Sequence, residues 1–354
     1  MNTKTLSFVD YVITAVLALA FTAAPYYMNS RVGNCDFTFG YVLSSLVTFT
    51  IFLILTYLLR NFLDKYDWNR KNTFKVASGL EQILSRRNAT LIVAILICVA
   101  WIIPLCFLYP GTLINDTWGE LQQFIRYSTR KIPFSDHNPI FDTLVMSLII
   151  VPVSQLTGRW HMMIFIYVLI QAILTSLAFA STVTYTFKKL GLGVKVSGTL
   201  LLLYCIIPVF PAAVQTVSKD ALHSLGFVFF VLLYIELVRT NGLILKDKVF
   251  LAKLCIVIAY CCLTKKVGFY IIVLSLIAAF LFQKNNRKYI VIPIAAAIIL
   301  MNGVMPIIIT NLQIAPGGKQ EMFSLPFQMT ARYVKYYGDD ITEEEYEILD
   351  KVLT

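Results

Sequence analysis

Two acidic residues directly follow a long apolar segment. Asp116 and Glu120 come soon after the apolar residues 89–109. Residues four apart lie on one face of a helix, so we predict that the two carboxylates share a face and act as catalytic groups. The helix would be amphipathic, with these side chains at a membrane interface: Trp118, Leu121, Phe124 and Ile125. Two carboxylates held there suit a substrate that is part lipid and part water-soluble. The alternative for Asp116 is a purely structural helix cap.

A histidine stands at the point where the chain re-enters an apolar segment. His137 lies in DHNPIFD (residues 136–142), and Pro139 would fix the direction of this turn. Histidine titrates near neutral pH, so His137 is a candidate general acid, general base or hydrogen-bond donor to a phosphate. The alternative is an ordinary interfacial loop histidine.

Lysines follow two later apolar segments. Lys219 and Asp220 are adjacent, with His223 one turn further on, and Lys265 and Lys266 are also adjacent. Ammonium groups bind phosphate, so we predict that these five residues form a phosphate-binding or substrate-binding site. The alternative is an interfacial turn whose lysines reach towards water. The predicted topology places all of these groups on one side of the membrane.

The composition indicates a membrane protein. The chain has 354 residues, of which 58% are hydrophobic and 14% charged, and its mean hydropathy is +0.73. A soluble core does not need so much apolar surface, so we predict an all-α polytopic membrane protein. We expect about nine to ten transmembrane helices and an amphipathic juxtamembrane helix in the first large outer loop. The predicted spans are about 7–27, 40–59, 89–109, 139–156, 161–187, 196–217, 220–238, 249–264, 267–283 and 289–310.

The basic residues indicate topology rather than nucleic-acid binding. The net charge is +10, but the lysines and arginines fall in short loops, as the positive-inside rule describes. The basic loop 60–88 marks the cytoplasmic side, which places Asp116 outside. The later basic loops agree with this side only if one segment between residues 110 and 187 does not cross. We predict that this segment is 139–156, which contains Pro152 and Asp142.

Several functional classes lack support in the sequence. There is no P-loop, no glycine-rich dinucleotide pattern, no HExxH and no nucleophile elbow, which argues against ATP-driven transport and metalloprotease chemistry. Most cysteines lie within apolar segments without metal-type spacing, so neither disulfides nor zinc ligands are predicted.

The predicted organisation has three parts. Residues 1–88 hold two spans and the basic loop, residues 89–310 form the transmembrane core, and residues 311–354 form an extracytoplasmic tail. Thr342 and Glu345 have the spacing of a capping box, so a short acidic helix is expected in the tail.

Taken in order, these residues resemble the GT-C superfamily of multi-span glycosyltransferases, and most closely the bacterial membrane family DUF6020. The resemblance covers roughly residues 90–354 and depends on Pro110-Gly111, Asp116, His137-Asn138-Pro139, Lys219-Asp220 and Thr264–Gly268. It implies a multi-pass enzyme of the bacterial plasma membrane. The enzyme would move a sugar from a polyprenyl-phosphate-linked donor to a cell-envelope acceptor.

The resemblance also implies roles for particular residues. An acidic residue in the first outer loop acts as base or helps to hold a metal in such enzymes, and that role would fall to Asp116. Family members often have two adjacent acidic residues, whereas Asn115 precedes Asp116 here. A divalent cation is thus the one cofactor in question, and no metal ligands are assigned. The expected partners are the lipid-linked donor and membrane lipid. Two rival functions stay open, namely a transporter or flippase for a lipid-linked sugar and a non-catalytic scaffold subunit.

Overall fold

The computed structural model describes residues 11–12, 14–16, 39–65, 75–283, 285–315 and 324–353. Most of the predicted first span 7–27, part of the basic loop and residues 316–323 lie outside the described residues. By packing, the chain divides into two units, Met1–Trp68 with Gln320–Thr354 and Asn69–Lys319. The structure is 84% helical, which confirms the predicted all-α class.

The described elements follow one another with short connections. The helices are α1 (Phe39–Lys65), α2 (Lys75–Ser85), α3 (Ala89–Phe107), α4 (Asn115–Arg130), α5 (Ile140–Thr157), α6 (Trp160–Lys188), α7 (Gly193–Ile206), α8 (Val209–Val214), α9 (Lys219–Arg239), α10 (Lys248–Thr264), α11 (Lys266–Phe282), α12 (Val291–Ile299), α13 (Met305–Asn311), α14 (Ser324–Tyr337) and α15 (Glu343–Leu353). A π-helical segment, Leu300–Val304, joins α12 to α13. Two short strands, β1 (Thr112–Leu113) and β2 (Thr216–Val217), complete the fold.

Five described helical segments are long and apolar enough to cross a membrane by length and composition: α3, α5, α6, α9 and Arg287–Asn311. Three shorter apolar helical segments lie at Val42–Leu58, α7 and α11. These findings support a helical membrane protein, but they do not confirm the predicted count of nine to ten spans. The predicted span 196–217 is interrupted, because α7 ends at Ile206 and a new helix starts after Pro208. Proline has no backbone N–H to continue the helix.

Helices α3 and α6 run antiparallel along their whole shared length. The hydroxyls of Thr90 and Thr184 are 3.0 Å apart, and just beyond the end of α3 the ring of Tyr109 packs edge to face against Phe165 of α6 at 5.0 Å. Helix α6 therefore starts at the end of the helical bundle where α3 finishes. We call this end, which also carries Asp116, the site end.

Helix α5 has both of its termini at the site end. Thr143 in its first turn donates a hydrogen bond to Glu120 of α4. Residues Gly158–Met162, just beyond its last turn, line one surface cavity together with Tyr109. These contacts agree with the prediction that segment 139–156 does not cross fully, although its length and composition alone would allow it to span.

The opposite end of the helical bundle gathers the basic connections. Lys188 at the end of α6 donates to the backbone carbonyl of Arg86, just before α3. At the same end, Tyr185 of α6 donates to Glu236 of α9, 2.6 Å away. The basic connections before α3, after α6 and after α9 were predicted to share one side of the membrane, and they lie at one end of the helical bundle. We call this end the basic end.

The unit Asn69–Lys319 has its apolar core in two main clusters. One includes Trp101, whose ring N–H donates to the Tyr204 carbonyl at 3.0 Å, and the other includes Leu254 and Ile272. Leu121, predicted to face the membrane interface, is fully buried in the first cluster. That expectation is corrected, because α5 and the neighbouring helices cover this face of α4.

In the other unit, the short acidic helix of the tail is present as α15. The backbone N–H of Thr342 donates to Glu345, and the backbone N–H of Glu345 donates to the Thr342 hydroxyl. The predicted capping box is therefore confirmed.

Candidate functional site

A short parallel strand pair positions two helix starts side by side. Strand β1 pairs with β2, and each strand leads within two residues into a helix, α4 at Asn115 and α9 at Lys219. The side chain of Gln171 in α6 supports the strand pair by donating hydrogen bonds to the backbone carbonyls of Val214 and Thr216 at 2.7 and 3.0 Å. Two segments that are far apart in the sequence thereby present their first helical turns at one place.

A glycine permits this close approach. Gly111, at the entrance to β1, has φ +115°, a conformation that side chains disfavour. A Cβ at this position would lie 2.9 Å from the backbone oxygen of Gln215 and 2.7 Å from Val168. Thr117 adds a second tie by donating its hydroxyl to the Val217 carbonyl at 2.5 Å. The strand pair is thus fixed from both sides.

Lys219 is the central contact of the site. Its ammonium group lies 2.9 Å from the Asp116 carboxylate and also donates to the side-chain oxygen of Asn138. The side chain of Lys219 is 22% exposed and that of Asp116 is 45% exposed, so the pair sits at a surface that a substrate can reach. The hydrogen bond from Lys219 lowers the pKa of Asp116 below its ordinary value. Asp116 is therefore ionised at neutral pH.

The loop Asp136–Asn138 lies between two lysines. Asn138 binds Lys219, whereas Asp136 pairs with Lys266 at 3.0 Å and also accepts from it through its backbone carbonyl. The backbone of Asp136 is held by a hydrogen bond to the Ala315 carbonyl. His137, between these two contacts, is exposed and lies within electrostatic range of Asp116. The structure therefore places His137 and Asp116 at the same end of the helical bundle, and their predicted catalytic roles stay predictions.

The predicted phosphate-binding lysines are paired with carboxylates. Lys265 lies 2.5 Å from Asp220, in addition to the pairs of Lys219 and Lys266. Ion pairs with exposed partners contribute only about 0–1 kcal/mol, so a phosphate group can replace the carboxylate at little cost. The geometry is compatible with the predicted phosphate-binding role of these lysines, which stays a prediction.

His223 is buried below the first turn of α9. Its Nδ1 lies 2.9 Å from the hydroxyl of Thr264, at the end of α10. Gly268 packs so closely that a Cβ there would lie 2.8 Å from the histidine ring. In this arrangement His223 links α9 to α10 and α11, and its predicted contact with substrate stays a prediction.

Glu120 has a different environment from Asp116, although both belong to α4. Glu120 is 1% exposed and accepts a hydrogen bond from Thr143 at 2.9 Å. Burial raises the pKa of Glu120 to about 7. Asp142 of α5, also buried, lies within electrostatic range. The two predicted catalytic acids therefore differ in protonation at neutral pH, and only Asp116 can reach a substrate in this arrangement.

Three residues of this region were not assigned from the sequence: Asp136, Asn138 and Asp142. An acidic residue at the start of an apolar helix is a recognisable signal for Asp142. Asn138 had no comparable signal, because its partner Lys219 is distant in the sequence. Among the described residues, no three His, Cys, Asp or Glu side chains are grouped so that they could hold a metal ion.

The chain belongs to DUF6020, a family of unknown function, whose model matches residues 127–354. The matched range includes Asp136, Asn138, Lys219 and Lys266, whereas Asp116 and Glu120 precede it. No curated protein and no solved structure matches the chain.

Proposed function

We propose that this DUF6020 member is a GT-C-type glycosyltransferase of the bacterial plasma membrane. It would move a sugar from a polyprenyl-phosphate-linked donor to a cell-envelope acceptor on the extracytoplasmic face. The observation that carries the proposal is the contact of Lys219 with both Asp116 and Asn138 at the site end of an apolar helical bundle. An ionised carboxylate and an ammonium group at the end of apolar helices suit a phosphate-linked lipid substrate.

The reaction needs a proton acceptor and a cation. The oxygen of an acceptor hydroxyl attacks the anomeric carbon of the sugar, and the bond from this carbon to the phosphate oxygen breaks. The phosphate leaves with the electron pair, while Asp116 takes the hydroxyl proton. Protonation removes the charge that attracts Lys219, so its ammonium group becomes available to the departing phosphate.

The other predicted residues have supporting roles in this proposal. His137 is exposed on the loop between Lys219 and Lys266 and would hydrogen-bond the acceptor or the sugar. Lys265 and Lys266 would add positive charge for the phosphate. Glu120, which is buried and bonded to Thr143, would hold α4 against α5 and so fix the direction of Asp116.

A transporter or flippase for the same lipid-linked sugar is the second candidate. It is favoured by the interrupted helix at Ile207–Pro208 and by α5, whose two termini lie at one end of the helical bundle. Broken helices often line transport sites. The two candidates differ in whether the bond between sugar and phosphate breaks.

The test uses Asp116→Asn, which keeps the size of the side chain and removes its charge. Asp247→Asn is the matched control, because Asp247 lies at the basic end and caps α10 by accepting from Val249 at 2.8 Å. Asparagine can form the same cap. At equal membrane levels, Asp116→Asn should lose a cell-envelope glycan that wild type and Asp247→Asn retain. Identical glycan profiles in all three strains would refute the catalytic role of Asp116.

A further inference from the structure

A cavity of about 220 Å³ opens beside the loop Asp136–Asn138. The Asp136–Lys266 ion pair is part of its lining. The other lining residues come from the start of α5, the end of α10, the start of α11, and the helix containing the π-helical segment. Most of the lining is apolar, including Ile140, Leu263, Phe269, Met301, Met305 and Ile309. The cavity therefore combines an ion pair with apolar side chains.

The helix opposite α11 is irregular where it lines this cavity. The segment Leu300–Val304 is π-helical, and it contains Asn302, an exposed polar residue with apolar neighbours on both sides in the sequence. Single π-helical turns are common at functional sites, because they redirect side chains within a helix. Here the lining residues Met301, Asn302 and Met305 come from this irregular region or follow it directly.

We propose that this cavity binds the phosphate and the adjoining isoprenoid chain of the lipid-linked substrate. The proposal rests on the proposed function and assigns the isoprenoid chain to a compartment beside the Lys219–Asp116 pair. The phosphate replaces the Asp136 carboxylate on Lys266, and the Asn302 amide donates to the phosphate or to the linked sugar. The loop Asp136–Asn138 contacts both Lys266 and Lys219, so a phosphate on Lys266 lies next to the Lys219–Asp116 pair, and Lys219 binds it as it departs.

The charge and size of the cavity favour this occupant. Lys266 supplies the positive charge for a phosphate. Its side chain is 45% exposed and that of its partner Asp136 is 22% exposed, so the ion pair is open to solvent and a phosphate can take the place of the carboxylate. The volume is below the roughly 300–1,000 Å³ of drug-sized ligand sites, so only the part of the chain nearest the phosphate fits. Neighbouring residues such as Ile307 are exposed on the same helix, at 62%, and would face membrane lipid. The rest of a long chain would leave the cavity for the bilayer.

The experiment measures how tightly purified, delipidated protein in mild detergent binds undecaprenyl phosphate, with inorganic phosphate as the headgroup-only probe. Met305→Trp fills the cavity, and Ile307→Trp is the matched control because Ile307 does not line it. We expect Met305→Trp to weaken lipid binding by about tenfold or more, since each excluded methylene weakens binding roughly fourfold. Ile307→Trp should bind like wild type. Lys266→Gln should weaken binding of both the lipid and inorganic phosphate.

The outcomes separate this inference from the proposed function. Equal lipid binding by wild type and Met305→Trp would overturn the cavity assignment and leave the proposed function standing. Loss of binding in Met305→Trp and Ile307→Trp alike would also overturn it, because the effect would not come from the cavity. Failure of wild type to bind undecaprenyl phosphate would refute the proposed function together with the inference. If Lys266→Gln weakens binding of inorganic phosphate but not of undecaprenyl phosphate, Lys266 binds a free anion rather than the lipid, and the inference is overturned.

Discussion

Replacement of Glu120 by glutamine tests the most unusual electrostatic environment of the site. The side chain is 1% exposed, and its pKa is raised from 4.5 to about 7 by burial. Glutamine has nearly the same shape and can still accept the hydrogen bond from Thr143, but it never ionises. The substitution therefore isolates the free-energy cost of charging a buried carboxyl group.

The magnitude follows from the two pKa values. Their separation, from 4.5 in the unfolded chain to about 7 in the folded protein, corresponds to about 3 kcal/mol. Between these values the folded protein holds a proton that the unfolded chain releases. The contribution of Glu120 to the free energy of unfolding is therefore largest below the unfolded pKa of 4.5. It decreases as the pH rises and is lost above the folded pKa of about 7.

The assay is thermal unfolding in detergent across this pH range, for wild type, Glu120→Gln and the control Glu81→Gln. Glu81 is exposed on α2, so its replacement should leave the pH dependence unchanged. As the pH rises from about 5 to about 8, the free energy of unfolding should fall less in Glu120→Gln than in wild type. The two decreases should differ by an amount approaching 3 kcal/mol. Parallel curves for wild type and Glu120→Gln would refute the reasoning, because they would show that Glu120 does not hold a proton in the folded protein.

Two further predictions concern the strand pair and the Lys219–Asp116 ion pair. Gly111→Ala should lower the free energy of unfolding by about 1–3 kcal/mol in denaturation assays, because its φ is +115° and a Cβ would lie 2.9 Å from a backbone oxygen. The control is Gly119→Ala, whose added Cβ would meet no atom within 4 Å, so this change should be neutral or stabilising. Equal effects of the two substitutions would contradict this account. Lys219→Met should raise the pKa of Asp116 and move the acid limb of the pH–activity profile to higher pH; an unmoved limb would show that Lys219 does not set this pKa.

The sequence predicted the features that depend on local pattern. Apolar length identified the helices, charge identified the basic end, and the spacing of Thr342 and Glu345 identified the tail helix. The basic loops require an even number of crossings between them, which led to the prediction that segment 139–156 does not cross fully. Each of these signals lies within one segment or within the charges of neighbouring loops, so tertiary contacts were not needed to read it.

The features that the sequence did not predict depend on distant contacts. Spacing placed Asp116 and Glu120 on one face of α4, but the approach of α5 buries Glu120 and leaves Asp116 exposed. The strands β1 and β2 have two residues each, which is too short for an alternating pattern. The lysines were predicted as phosphate ligands, while their carboxylate partners became visible only in the fold.

The central claim is that the site end binds a polyprenyl-phosphate-linked sugar. Native mass spectrometry of protein extracted in mild detergent tests it directly, with wild type, Lys219→Ala and the control Lys248→Ala from the basic end. We predict a bound polyprenyl-phosphate sugar in wild type and Lys248→Ala, lost in Lys219→Ala, whose mass would identify the sugar. Bulk phospholipid alone in all three proteins would contradict the claim.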